Sequence, residues 1–386
     1  MTVTLRLGFL PLVDAAPLIV AEAMGFAEEE GLALDLVAAP SWSASRDLLS
    51  IGEVTAAQML APVPVALALG LGSPARFEVL SVLNLNGNAI GVSTALAARM
   101  RDHDFALSDA RDAGLALLAA AGQRLRIGVP FAFSMHNELV RYWLEGLGQT
   151  LPESLEIVTV PPPLMPDALA AGEVDAFCVG EPRGSVAVER GAGVLLLPTS
   201  AIWAAAPEKV LAARAGWAEQ DPELAGRLIR ALWRAGRWLG QGANLTVAGE
   251  VLAARLGVSA EVVERSLTGR LVIAADGAER VVPGFLRFDG GAAGFPWRSQ
   301  AAWIGARLAR RHGLDAMQAQ TVAAQVFRSD IYRLHLGPAG ADLPAASAKV
   351  EGSLAEPTPV ASSRGRLILP PDRFYDAQVF DPGLAG

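Results

Sequence analysis

The chain repeats itself. Leu48–Ala57 reads LLSIGEVTAA and Ala168–Phe177 reads ALAAGEVDAF. In both, a helical stretch stops at glycine and Glu-Val opens an apolar strand. The likeness runs upstream at a spacing of roughly 120 positions. Strand Leu5–Phe9 corresponds to Leu125–Val129, and Leu32–Val37 to Leu155–Val160. A helix separates each pair: Ala15–Glu30, with Pro17 near its start and Gly31 past its end, and Met135–Leu147. In the first copy Ser43 or Ser45 caps a short helix ending at Gly52, and Val54–Met59 is the third strand. Each copy is a βαβαβ unit, which implies a parallel sheet. The expected fold is α/β: two lobes of one architecture, parallel sheets flanked by helices, with a ligand cleft between them.

The helix of the second copy is the clearest single element. Ser134 is a good N-cap. Met135, Leu139, Val140, Trp143, Leu144 and Leu147 share one face, and Gly148 ends the run. His136 falls in the first turn, where unpaired N–H groups and the helix dipole suit an anion. A bound anion would favour its protonated form. A surface or capping histidine is the plainer alternative.

Glu78–Val92 alternates like a strand, carries the turn signal Asn86-Gly87-Asn88, and is taken as the first crossover. Ser93–Gln123 is Ala-rich and helical. The return crossover follows Val179-Gly180-Glu181-Pro182, near Leu195–Ser200. Lobe 1 is expected to comprise residues 1–92 plus 200–386, and lobe 2 residues 93–199. Asp221-Pro222-Glu223 opens a helix over Leu224–Trp238. Val247–Leu256 and Ser299–Arg311 are two more helices, with a Gly-rich loop at Asp289–Pro296. After about Pro344 the composition turns Pro/Ser/Ala-rich, as in a tail that wraps the surface or frays.

Charge and motif content exclude several functions. With 32 basic and 40 acidic residues the net charge is −8, which argues against a nucleic-acid surface. Cys178 is the lone cysteine, so there is no intrachain disulfide and no zinc-type Cys/His set. No GxSxG, HExxH or P-loop occurs, and Asn86–Gly91 lacks the first glycine of a dinucleotide fingerprint. Neither an enzyme nor a cofactor is expected. The longest apolar run, Met59–Leu71, contains Pro62 and Pro64 and is too short to cross a bilayer. Met1 leads straight into a strand without a basic and apolar leader, so a cytoplasmic chain with no membrane insertion is expected.

Four further residues sit at strand or helix ends that can face the cleft. Trp42 could be an ordinary half-buried aromatic. Asn88 could be a turn former, and Glu181 a helix cap. Lys209, one of only two lysines with Lys349, could be a solvated charge. Taken with His136 they offer one cation, an imidazole, an amide and an indole face. Such a set suits a small planar oxyanion better than a sugar.

The segments LGFLPLVDAAPLIVAEAMGF, APSWSASRD, AAQMLAPVPVALALG, LNLNGNAI, MHNELVRYWL, VDAFCVGEP, APEKV and GFPWRSQAAW resemble the nitrate/bicarbonate-binding family of ABC-transporter solute receptors. The resemblance runs from the first strand to about Trp303. It implies a type II periplasmic-binding-protein fold. It also implies nitrate contacts at Trp42, Asn88, His136, the strand end Val179, Gly180 and Glu181, and Lys209. The chain departs from the family pattern at Asn88, where glutamine is common. It departs again at Phe133-Ser134-Met135, where Gly-Gly-Thr is common, and at Arg183, where tryptophan is common. Within the family, the apparent lack of a leader resembles the cytoplasmic nitrate/nitrite sensors of the NasS type. That resemblance implies an ANTAR-domain RNA-binding antiterminator as partner, released when nitrate or nitrite closes the lobes. The alternatives are a nitrate or bicarbonate transport receptor, and an enzyme or binding protein for a larger anionic metabolite.

Overall fold

The computed structural model describes residues 2–101, 109–152 and 154–383. The first copy of the repeat forms β1 (Val3–Phe9), α1 (Ala16–Ala23), α2 (Phe26–Glu29), β2 (Leu32–Ala38), α3 (Trp42–Ser50), β3 (Ala56–Leu60) and α4 (Pro62–Ala68). β4 (Phe77–Asn86), β5 (Asn88–Ser93), α5 (Thr94–Met100) and α6 (Ala110–Ala121) lead to the second. That copy forms β6 (Arg124–Val129), α7 (Met135–Glu145), β7 (Ser154–Thr159), α8 (Met165–Ala170), β8 (Ala176–Gly180), α9 (Arg183–Glu189) and β9 (Gly193–Pro198). β10 (Pro207–Arg214) returns the chain. α10 (Trp217–Gln220), α11 (Pro222–Leu239), α12 (Leu245–Leu256), α13 (Ala260–Thr268), α14 (Arg298–His312), α15 (Ala316–Val326) and α16 (Ser329–Leu336) follow.

The repeat is visible in strand register. β1 and β3 pair Leu7 with Ala56 and Gly8 with Ala57. β6 and β8 pair Ile127 with Ala176 and Gly128 with Phe177, the same positions of the second copy. Thr55 N–H donates to the Arg6 carbonyl at 2.8 Å, as Asp175 N–H does to that of Arg126 at 2.9 Å.

The expected parallel sheets are in fact mixed. One sheet runs Leu286–Arg287, β4, β10, β3, β1, β2, and the other β7, β6, β8, β5, β9. β1–β2, β1–β3, β6–β7 and β6–β8 are parallel. β10 is antiparallel to both its neighbours, and so is β5. The reason is topological. β5 and β10 are the strands by which the chain enters each sheet from the other. A strand that enters at the cleft end must run away from it. We call each sheet with its helices a lobe, lobe 1 carrying the six-stranded sheet.

Asn86-Gly87-Asn88 is a turn signal that makes no hairpin. β4 passes into β5 through Gly87 (φ 95°), with Asn86 also left-handed at φ 59°. A side chain at Gly87 would bring its Cβ 2.6 Å from Leu286. Asn86 Nδ2 donates to the Ala204 carbonyl at 2.8 Å, so the outgoing and returning crossovers lie side by side.

Local corrections follow from backbone chemistry. The helix expected over Ala15–Glu30 is a 3-10 turn, Val13–Ala15, then α1 and α2, because Gly25 is left-handed at φ 79°. The cap of α3 is Ser41, not Ser43 or Ser45. Its hydroxyl accepts from Ala44 N–H at 3.2 Å, while Ser45 is buried against Gln58. Ser134 caps α7 as expected, accepting from Asn137 N–H at 3.1 Å. The helical reading of Ser93–Gln123 holds in α5 and α6; residues 102–108 lie outside the described residues. α13, α15 and α16 add to the helices expected from the sequence. The tail after Pro344 wraps. Phe374 stacks on Trp203 at 4.7 Å, and Tyr375 donates to the Trp143 carbonyl of α7 at 2.7 Å. Among the described residues no helix is long and apolar enough to cross a membrane.

Candidate functional site

Polar groups from both lobes meet in one buried cluster where the sheets face each other. Lobe 1 supplies Asp14 from the turn before α1, Trp42 from the first turn of α3, Gln58 from β3, and Glu208 and Lys209 from β10. Lobe 2 supplies Asn88, the first residue of β5, His136 from the first turn of α7, and Gly180, which ends β8. The side chains of Asp14, Trp42, Gln58, Asn88, His136, Glu208 and Lys209 are each at most 2% exposed.

Lys209 is the centre. Its Nζ lies 2.9 Å from Asp14 Oδ2, 2.9 Å from Glu208 Oε1 and 5.6 Å from the centre of the Trp42 ring. Burial alone would lower its pKa, but Asp14 and Glu208 outweigh that and hold it above the ordinary value, so the amine is charged. Gln58 donates to the other Asp14 oxygen at 2.6 Å and accepts from Leu10 N–H at 3.0 Å, which fixes the carboxylate.

His136 Nδ1 lies 3.3 Å from Glu208 Oε1. Burial, reinforced by Lys209, pushes the imidazole pKa well below its ordinary value, so His136 is neutral here. Burial pushes Glu208 the other way, upward, against the pull of Lys209. Asn88 faces the same carboxylate and tends to hold it down, though its amide falls outside hydrogen-bond geometry.

Several of these buried atoms have no hydrogen-bond partner in the protein: Trp42 Nε1, Asn88 Nδ2 and Oδ1, and both ring nitrogens of His136. Native proteins rarely leave buried donors unmatched. Here they converge beside a charged amine. Gly180 is part of the same geometry, because a Cβ there would come 3.1 Å from Asp14 and 3.3 Å from Asn88.

Two of the anticipated residues contribute differently. The Val179 side chain points into the core, leaving only its backbone at the strand end. Glu181 turns its carboxylate onto α9, accepting from Ser185 N–H at 3.1 Å, so the capping alternative describes its side chain. Its carbonyl accepts from Val13 N–H at 2.9 Å. Burial raises the Glu181 pKa to about 7.

Local sequence pattern does not single out Asp14, Gln58 or Glu208. Asp14 is the one charge between Arg6 and Glu22, which was a usable signal. Glu208 was not accessible, because neighbours on a strand point to opposite faces. Register shifts on both sides of Lys209 in β10 put Glu208 and Lys209 into one cluster. Among the described residues no group of three His, Cys, Asp or Glu side chains could hold a metal.

This two-lobed fold is that of the periplasmic-binding-protein class of solute receptors. The periplasmic nitrate-binding protein NrtA from Synechocystis PCC 6803 superposes with a TM-score of 0.84 at 24% identity, over 99% of this chain and 96% of its own. The chain belongs to the NMT1-like family, which it matches over residues 2–253. The nitrate/nitrite binding protein NrtA of Nostoc sp. is 28% identical over 99% of this chain and 83% of its own length. The bicarbonate-binding protein CmpA of Synechococcus elongatus is 26% identical over 98% and 84%. These relatives are binding proteins, not enzymes. The chain spans about half the length, or less, of the ATP-binding import proteins that it also matches.

Proposed function

We propose that this chain is the solute receptor of an ABC importer for a small planar oxyanion, nitrate or nitrite, held between the lobes. The convergence of buried, unmatched groups from both lobes on Lys209 carries the reading. Trp42 Nε1–H, Asn88 Nδ2–H and the His136 imidazole are positioned to hydrogen-bond the oxygens, while Lys209 supplies the charge. Because the groups come from both lobes, the anion favours the closed arrangement by binding it better than the open one. A transport receptor is favoured over a regulatory one because the chain is also similar to nitrate import ATP-binding proteins over part of their length. The regulatory reading, a cytoplasmic sensor that releases an ANTAR-domain antiterminator, rests on the resemblance to the NasS-type sensors alone.

Calorimetry of the full chain with nitrate, nitrite and bicarbonate tests the proposal. One-to-one binding of nitrate or nitrite, at least tenfold tighter than bicarbonate, is expected. Preference for bicarbonate reassigns the ligand, and no binding of the three overturns the reading. A nitrate-sensitive complex with an ANTAR protein would favour the sensor.

A further inference from the structure

The site carries more negative charge than an anion receptor should. Asp14 and Glu208 are two buried carboxylates, and among the described residues Lys209 is the one cation paired with them. With both carboxylates ionised the cluster already sums to −1. A monoanion placed among them would bring it to −2 in a region closed to water, where like charges repel strongly.

Resting on the function proposed above, we propose that Glu208 sets ligand specificity by taking up a proton with the anion: nitrate enters together with one proton, shared between Glu208 Oε1 and His136 Nδ1. The geometry singles out this pair. Asp14 is held by Gln58 at 2.6 Å and faces Lys209, so it stays the partner of the amine. Glu208 Oε1 lies between Lys209 Nζ at 2.9 Å and His136 Nδ1 at 3.3 Å, while its Oε2 has no partner. The other groups of this neighbourhood are Trp42 on α3, Gln58 on β3, Asn88 on β5 and Cys178 on β8. The Cys178 thiol is pushed up by burial and then by Glu208, and stays protonated. The Glu181 carboxyl faces Ser185 instead. That leaves Glu208 and His136 to take the proton, and burial already tilts Glu208 towards its neutral form.

The proton also explains how the imidazole can donate. A neutral His136 that keeps its proton on Nδ1, 3.3 Å from an ionised Glu208, presents Nε2 as an acceptor, which repels nitrate. Protonating the pair frees a ring N–H for the anion. Bicarbonate meets the same charge, but it carries its own hydroxyl and can donate to Nε2, so it depends less on the added proton.

The test is calorimetry of nitrate and of bicarbonate with the full chain, in pairs of buffers of different ionisation heat. Above the pH at which Glu208 ionises, nitrate should take up close to one proton, and its affinity should fall about tenfold per pH unit. Bicarbonate should take up less than nitrate. In Glu208→Gln the uptake and the pH slope should both vanish. Infrared difference spectra should show a carboxylic-acid band on adding nitrate to the wild type and none in the variant. If the variant does not fold, the wild-type buffer comparison decides alone. Nitrate binding without proton uptake between about pH 6 and pH 9 would overturn this inference and leave the receptor reading standing. No nitrate binding at all would remove both.

Discussion

The chain's two lysines sit in nearly the same surroundings and lead to opposite outcomes. Lys209 is buried and Lys349 is 15% exposed, each lies over an indole (Trp42 at 5.6 Å, Trp297 at 5.8 Å), and each faces two buried carboxylates. Around Lys349 all four carboxylate oxygens are matched. Ser299 donates to Glu351 at 2.6 Å, Leu354 N–H donates to Asp372 at 2.8 Å, and Lys349 N–H donates to Ser299 Oγ at 3.1 Å. Around Lys209 the indole, amide and imidazole atoms have no protein partner. A buried ion cluster whose hydrogen bonds close among themselves fastens the tail to lobe 1. One whose neighbours stay unmatched is a place for a ligand.

Removing either cation should give the largest effect. Lys349→Met and Lys209→Met should each lose about 3–5 kcal/mol in urea unfolding, since each strands two buried carboxylates. Nitrate then separates them. At a hundredfold excess over Kd it should add about 2.7 kcal/mol to wild type and to the folded Lys349→Met protein, and nothing to Lys209→Met. Equal protection of both variants would break the comparison.

Glu181 sharpens it, as a buried carboxyl that makes no ion pair among the described residues. Its folded pKa is raised from near 4.5 to about 7, so its share of stability is present at low pH and is lost as pH rises through that window. Wild type minus Glu181→Gln should therefore fall by about 2.5 kcal/mol between pH 5 and pH 8, as read from denaturation at each pH. A flat difference would show that the carboxyl is better solvated than its burial indicates.

Trp42→Phe keeps the ring and deletes one unmatched donor. Nitrate affinity should drop about tenfold by calorimetry, while stability holds or rises slightly because no protein hydrogen bond is lost. On the satisfied side, Tyr375→Phe removes the tail's hydrogen bond to Trp143. It should cost about 1 kcal/mol in thermal unfolding with no change in nitrate affinity.

Legibility followed the range of the physics. The repeat, α7 with its Ser134 cap, and Lys209 could be read because each rests on local pattern or on rarity in the composition. The mixed sheets could not, because the sense of β5 and β10 depends on where the chain crosses between lobes. Glu208 was hidden by a strand irregularity that reverses the usual alternation. Gly87 was read as a turn because Asn-Gly-Asn has one local meaning, whereas the tertiary fold uses the same torsions to send a strand from one sheet into the other.

That crossing has a consequence for how the chain tolerates change in length. Between β4 and β5 there is one residue, and Asn88 follows it immediately. Adding a residue there would shift β5 by one place against β8 and β9 and turn each of its side chains to the opposite face, carrying Asn88 away from Lys209. The returning segment between Pro198 and Pro207 is longer and irregular, and can absorb an insertion without moving either strand. The two crossings lie against each other through Asn86 and Ala204, yet one has slack and the other has none.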